Sequence, residues 1–129
     1  MVATALAGGA GASQTVPKES VSACALLLQR LPGVRAEQCE AARLTPSGAR
    51  SRLGTALYWR DILPQRPDID TLRVLVVGAM HGDELTSGAL ALRWIGLAEQ
   101  TQRPVHWRFI PVLNPDGKQK KKPSRTNAH

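Results

Sequence analysis

Aromatic side chains are scarce in this sequence, with three Trp, one Tyr and one Phe among 129 residues. The apolar mass comes mostly from Ala, Leu and Val. Long apolar runs are missing too. None approaches the roughly 18 residues that a membrane-spanning helix requires, so no membrane partner is expected. Acidic residues are outnumbered, ten against seventeen Lys and Arg, which leaves a net charge of +7. Much of that excess sits at one end, in Lys118, Lys120, Lys121, Lys122 and Arg125. A basic run can bind nucleic acid or an anionic surface. No aromatic residue interleaves with these lysines, so the stacking platform of a single-strand binder is absent. A solvated loop and no nucleic-acid partner is the expectation.

Cysteine is limited to Cys24 and Cys39. Two readings stand: one disulfide in an exported protein, or two reduced buried thiols in a cytoplasmic one. Closing a loop of about 15 residues would add roughly 3 kcal/mol. The N-terminus bears on the choice. Ala10-Gly11-Ala12 has the small-x-small form of a signal-peptidase site, yet no Lys or Arg precedes Lys18, and a complete signal peptide has a basic start and a longer apolar centre. The stretch reads either as the tail of such a peptide or as a disordered Ala/Gly-rich terminus. A periplasmic or secreted location follows from the first reading, a cytoplasmic one from the second.

What is present suffices for one small domain: 43% hydrophobic and 21% charged residues exclude disorder throughout. Residues 1–20 read as a flexible terminus. Residues 21–55 read as a short helical segment. There Cys24, Leu27, Leu28 and Leu31 share one helical face until Pro32-Gly33, and a second helix spans Glu37–Leu44 before Pro46-Ser47-Gly48. From residue 56 the character changes. Ala56–Ile62 alternates in part and reads as a strand. Arg73–Met80 is β-branched and nearly continuously apolar, the pattern of a strand buried on both faces. Leu85–Gln100 has helical spacing, with Leu85, Ala89, Leu92 and Ile95 on one face. Val105–Val112 reads as a strand with Val105, Trp107 and Phe109 on one side. Strand, helix and strand in this order predict a βαβ unit with parallel pairing, hence an α/β fold.

The chemistry-bearing residues fall where that unit would put them. His81-Gly82-Asp83-Glu84 lies between the apolar strand and the helix, and ligands of open α/β sheets bind beyond the carboxyl ends of strands. His81 and Glu84 are three apart and can point to one place. Imidazole and carboxylate are both zinc ligands. Gly82 suits a tight turn, and Asp83 suits the helix cap. Each residue also has a purely structural role open to it: a satisfied loop histidine, a helix cap, a carboxylate favoured by the helix dipole. Asn114-Pro115-Asp116-Gly117 ends the next strand. It has turn chemistry: Pro fixes φ, Asp accepts local hydrogen bonds, and Gly permits positive φ. Arg125 follows and could hold a carboxylate or an oxyanion, or be an exposed surface charge.

The segments VLVVGAMHGDELTSGALALRWI and FIPVLNPDG, the latter followed by SRTNA, together resemble the zinc-site region of the M14 metallocarboxypeptidase family. The H-G-D-E form is closest to its bacterial murein-peptide-amidase-like members. The likeness covers residues 56–129, which would be the N-terminal part of a peptidase domain with a partial zinc-carboxypeptidase fold. It implies a Zn2+ cofactor, with His81 and Glu84 as the first two ligands. It implies Arg125 as the catalytic arginine that polarises the scissile carbonyl, and a peptide substrate, cell-wall peptides among the candidates. The family's third ligand and general base lie further downstream than residue 129, so the resemblance implies an incomplete, inactive fragment. A zinc deacylase of the succinylglutamate desuccinylase or aspartoacylase type shares H-G-x-E and is the alternative enzyme. An inactive basic binding remnant is the alternative outside enzymes.

Overall fold

The computed structural model describes residues 18–101 and 103–118. The Ala10-Gly11-Ala12 signal, most of the basic run, Arg125 and His129 lie outside them. The elements in order are α1 (Lys18–Leu27), α2 (Ala36–Ala41), β1 (Thr45–Arg50), β2 (Ala56–Ile62), β3 (Leu72–Val77), α3 (Leu85–Gln100), β4 (Val105–Ile110) and a short 3-10 turn, Pro115–Lys118. The four strands form one mixed sheet in the order β1-β2-β4-β3. The β1/β2 and β2/β4 pairs are antiparallel, and β3/β4 is parallel in unbroken register from Leu72↔Val105 to Val77↔Ile110. The expected βαβ unit is present. Among the described residues no helix is long and apolar enough to cross a membrane.

The helical face read from the sequence is the one that packs. Cys24, Leu27 and Leu31 are buried against Cys39, Ala42 and Leu44, and against Leu92, Ile95 and Phe109. Cys24 and Cys39 are bonded, with Cα atoms 5.7 Å apart, so the α1–α2 pair is tied covalently as well as by burial. On β4, alternation sends Trp107 and Phe109 inward, their rings 5.8 Å apart and stacked, while His106 and Arg108 lie on the other face with Asp61.

Two expectations are corrected. Residues 45–50 belong to no helical segment: they form β1, an edge strand almost wholly exposed. Its sequence TPSGAR lacks an apolar pattern, because β1 is held by backbone pairing to β2 rather than by side-chain burial. Pro46, which has no N–H to donate, is tolerated at an edge. The second correction concerns β3. It is not buried on both faces. It lies at the other edge of the sheet, with Leu72 and Leu75 about 60% exposed: Leu75 is on the face it shares with Arg108, away from α3, and Leu72, on the Val105 face, is the first residue of the strand.

Helix α3 sits unusually close to the end of β3. A Cβ at Gly88 would meet the Pro111 carbonyl at 2.7 Å and a Leu31 methyl at 2.9 Å, and one at Gly78 would meet Gly88 Cα at 2.8 Å. Backbone-to-backbone approach of this kind requires glycine on both sides. Gly96, in the same helix, faces open space. Gly88→Ala should therefore destabilise by about 2 kcal/mol through overpacking. Gly96→Ala should be neutral or stabilise by up to ~1 kcal/mol from helix propensity. Urea denaturation of the two variants checks this.

Candidate metal-ligand pair at the end of β3

The chain leaves β3 through a sharp turn. Ala79, fully buried, has φ 44°, a left-handed conformation that costs a non-glycine residue roughly 1 kcal/mol or more. The strained residue is thus Ala79 and not Gly82. Its N–H is taken by Ser87 Oγ at 2.8 Å, and the same hydroxyl donates to the Glu84 carbonyl at 2.6 Å. One serine side chain thus bridges the exit of β3 and the entry of α3. Within the loop, Glu84 N–H bonds the His81 carbonyl at 3.1 Å. Glu84, rather than Asp83, occupies the N-cap position, and it makes no side-chain capping bond.

This loop turns His81 and Glu84 toward each other. His81 Nδ1 lies 3.0 Å from Glu84 Oε2. The ring nitrogen is buried yet forms no hydrogen bond, so the carboxylate oxygen sits close to it without lying in hydrogen-bond geometry. Arg60 Nε and Trp107 Nε1 are also buried without a partner, and an orphaned nitrogen alone is therefore not distinctive. What sets His81 apart is a carboxylate oxygen in contact with it at the carboxyl end of a strand, the usual ligand position of open α/β sheets. These two residues fit a first-row metal by donor type. Among the described residues no third His, Cys, Asp or Glu completes the group.

The Asn-Pro-Asp-Gly segment is brought beside this loop by the parallel pairing, which continues past the strands: Gly78 N–H bonds Ile110 O at 2.9 Å, Leu113 N–H bonds Gly78 O at 3.0 Å, and Asn114 N–H bonds Ala79 O at 3.1 Å. Its turn differs from the expected one. No residue in it has positive φ, and the local side-chain bond is made by Asn114 Oδ1, which accepts from Gly117 N–H at 3.2 Å. Asp116 instead accepts from Ser51 Oγ and Leu53 N–H, across more than sixty residues of chain. Sequence reading missed Ser87, Ser51 and Arg30, whose Nη1 donates to the Pro115 carbonyl. Only Ser87, three residues after Glu84, carried a local signal, since a hydroxyl in the first turn of a helix can bond a nearby carbonyl.

A second polar cluster lies on the uncovered face of the sheet. Arg108 grips Asp61 with Nε at 2.8 Å and Nη2 at 2.7 Å, His106 Nε2 is 3.1 Å from the same carboxylate, and the Arg108 guanidinium stacks 4.1 Å over Trp59. The Arg108 hydrogen bonds hold the Asp61 carboxyl below the usual range despite partial burial, with His106 contributing further. A cavity of about 560 Å³ opens elsewhere, lined by Ile62, Arg66, Glu99, Gln100 and Arg103 among others. It shares no residue with the His81–Glu84 loop, and volume alone assigns it no chemistry.

Nothing matches this chain among family models, curated proteins or solved structures.

Two outcomes follow. Ser87→Ala leaves the buried Ala79 N–H without an acceptor and should lower stability by about 1–3 kcal/mol, measured by urea denaturation. Asp61 titrates lower in the native state than unfolded, so its contribution is present above the ordinary aspartate value of about 3.9 and is lost as pH falls through the native value. The stability difference between wild type and Asp61→Asn, clear at neutral pH, should therefore shrink progressively below pH ~4. Denaturation midpoints across that range measure it.

Proposed function

We propose that this chain is the N-terminal part of a zinc-dependent hydrolase of the M14 metallocarboxypeptidase type, with His81 and Glu84 as two of its metal ligands. The observation that carries the reading is the contact itself: an imidazole nitrogen, buried and without a hydrogen bond, 3.0 Å from a carboxylate oxygen where an apolar parallel strand ends. The Asn114–Gly117 turn beside it, on the neighbouring parallel strand, supports the reading as well, because the resemblance rests on these two motifs in this order. So does the Cys24–Cys39 bond, which suits an exported protein acting on extracellular or cell-wall peptides.

In this reading His81 binds through Nδ1 and Glu84 through its carboxylate, with Ser87 fixing the backbone on either side of them. When bound, zinc supplies Lewis acidity at the scissile carbonyl and lowers the pKa of a coordinated water. Arg125 would stabilise the oxyanion through the charge-assisted hydrogen bonds a guanidinium provides. A catalytic zinc is held by three protein residues with one position open. With the two found among the described residues, binding should be weak and hydrolysis undetectable.

Calorimetric titration with Zn2+ or Co2+ tests the ligands. Affinity should fall at least tenfold in His81→Ala and in Glu84→Gln, and equal affinities in wild type and both variants would reject the assignment. Peptide and acyl-amino-acid substrates, assayed with and without zinc, test the incompleteness. Robust zinc-dependent turnover of a peptide would overturn it, and turnover confined to acyl-amino acids would move the assignment to the deacylase type.

A further inference from the structure

The Asn114–Gly117 turn is held from three separate parts of the chain. From the β1–β2 hairpin, Ser51 Oγ donates to Asp116 Oδ1 at 2.6 Å and Leu53 N–H to Asp116 Oδ2 at 3.0 Å. From the segment just after β3, the carbonyls of Gly78 and Ala79 accept from Leu113 and Asn114. From the link between α1 and α2, Arg30 donates through Nη1 to the carbonyl of Pro115. Asn114, Pro115 and Gly117 are all buried, and the Arg30 and Ser51 bonds to the turn are partly buried, whereas the Leu53 bond is exposed. The Arg30 guanidinium is itself partly buried. Desolvation lowers its pKa, and the nearby Asp116 carboxylate opposes that fall. Arg30 also lies inside the loop closed by Cys24 and Cys39, which restrains the segment that carries it.

What Arg30 holds is connected directly to the ligand pair. Asn114 N–H bonds the carbonyl of Ala79, and Ala79 stands two residues before His81 in a left-handed conformation. Such a residue persists only when its surroundings over-determine it. Here the restraints are Ser87 on its N–H and the 114–117 turn on its carbonyl. The turn in turn relies on donors reaching Pro115 and Asp116. We infer that Arg30 is a positioning residue for the His81–Glu84 pair, acting through the Pro115 carbonyl, the Asn114–Ala79 bond and the backbone angle at Ala79. The helical segment that precedes the sheet is on this account part of the site's framework. The inference rests on the reading of His81 and Glu84 as metal ligands, and its test separates the two.

The experiment compares wild type, Arg30→Ala, Arg30→Lys and Asp116→Asn in the full chain. It has two readouts: Co2+ affinity by calorimetry, and the ring-nitrogen NMR signals of His81 in the metal-free protein. Arg30→Ala should weaken Co2+ binding about tenfold, the lower end of the range for residues that orient metal ligands, and should displace the His81 ring signals. Arg30→Lys, whose ammonium can still donate to a carbonyl, should recover most of both. An Arg30→Ala protein with a lower Tm but unchanged Co2+ affinity and unchanged His81 signals has lost only a packing contact, and overturns the inference. If Arg30→Ala does not fold, Asp116→Asn decides by the same two readouts, because it weakens the same turn from its other anchor. If wild type binds Co2+ no better than His81→Ala, the ligand reading fails by itself. The metal-free His81 signals then still decide the positioning claim, displaced signals supporting it and unchanged signals rejecting it.

Discussion

The parallel register of β3 and β4 does not stop where the strands do, and most of what is distinctive in this molecule depends on its continuation. Three further backbone bonds, Gly78 to Ile110, Leu113 to Gly78 and Asn114 to Ala79, carry the pairing into the two loops that hold the chemistry-bearing residues. Parallel strands need a crossover connection, and here that crossover is α3. Both loops therefore emerge at the same end of the sheet, one opening α3 and the other following β4. A shift of one residue in this register would turn one strand's faces over relative to the other's and separate the two loops from their shared anchor at Ala79.

That anchor imposes demands on its neighbours. Ala79 is wholly buried at positive φ, and the conformation is held by a serine hydroxyl on one side and a turn amide on the other. The close approach of α3 that brings Ser87 to it leaves no room for a Cβ at Gly78 or Gly88. The strain at Ala79 and the contact between the two glycines are thus two consequences of seating the helix directly on the strand end. The outcome is a short loop whose backbone is held at Ala79 and at Glu84, the residues that flank and include the His81–Glu84 pair.

The two faces of the sheet are treated differently. The face under α1, α2 and α3 is apolar, with Phe109 packed in one cluster with Leu92 and Ile95 of α3. The other carries Asp61, His106, Arg108 and Trp59 in a mutually satisfied group, next to exposed Leu75. An apolar strand at a sheet edge is a natural site for pairing with another chain. Of its exposed side chains Arg73, at least, is charged.

Local rules were enough for the elements that bury a periodic face. The spacing of Cys24, Leu27 and Leu31, of Leu92 and Ile95, and of Trp107 and Phe109 is a direct record of which side meets the core, and the structure buries all of them but Trp107, which is partly buried and packs against the rest. Likewise H-x-x-E after an apolar strand was legible, because a three-residue separation in a loop-to-helix junction limits where two side chains can go. What sequence could not supply was everything fixed by distant partners. β1 has no pattern of its own and exists because β2 offers it backbone groups. The exposure of β3 follows from its place in the strand order, which no property of its own residues encodes. Asp116 was readable as a turn residue, but its actual partners, Ser51 and Leu53, lie more than sixty positions away. Arg30 was one more surface-type charge until folding set it against Pro115. Sequence by itself determined the βαβ unit and the residues at its mouth, since periodicity and spacing are local. Tertiary structure alone decided how that mouth is held, since hydrogen bonds between remote segments leave no trace in either.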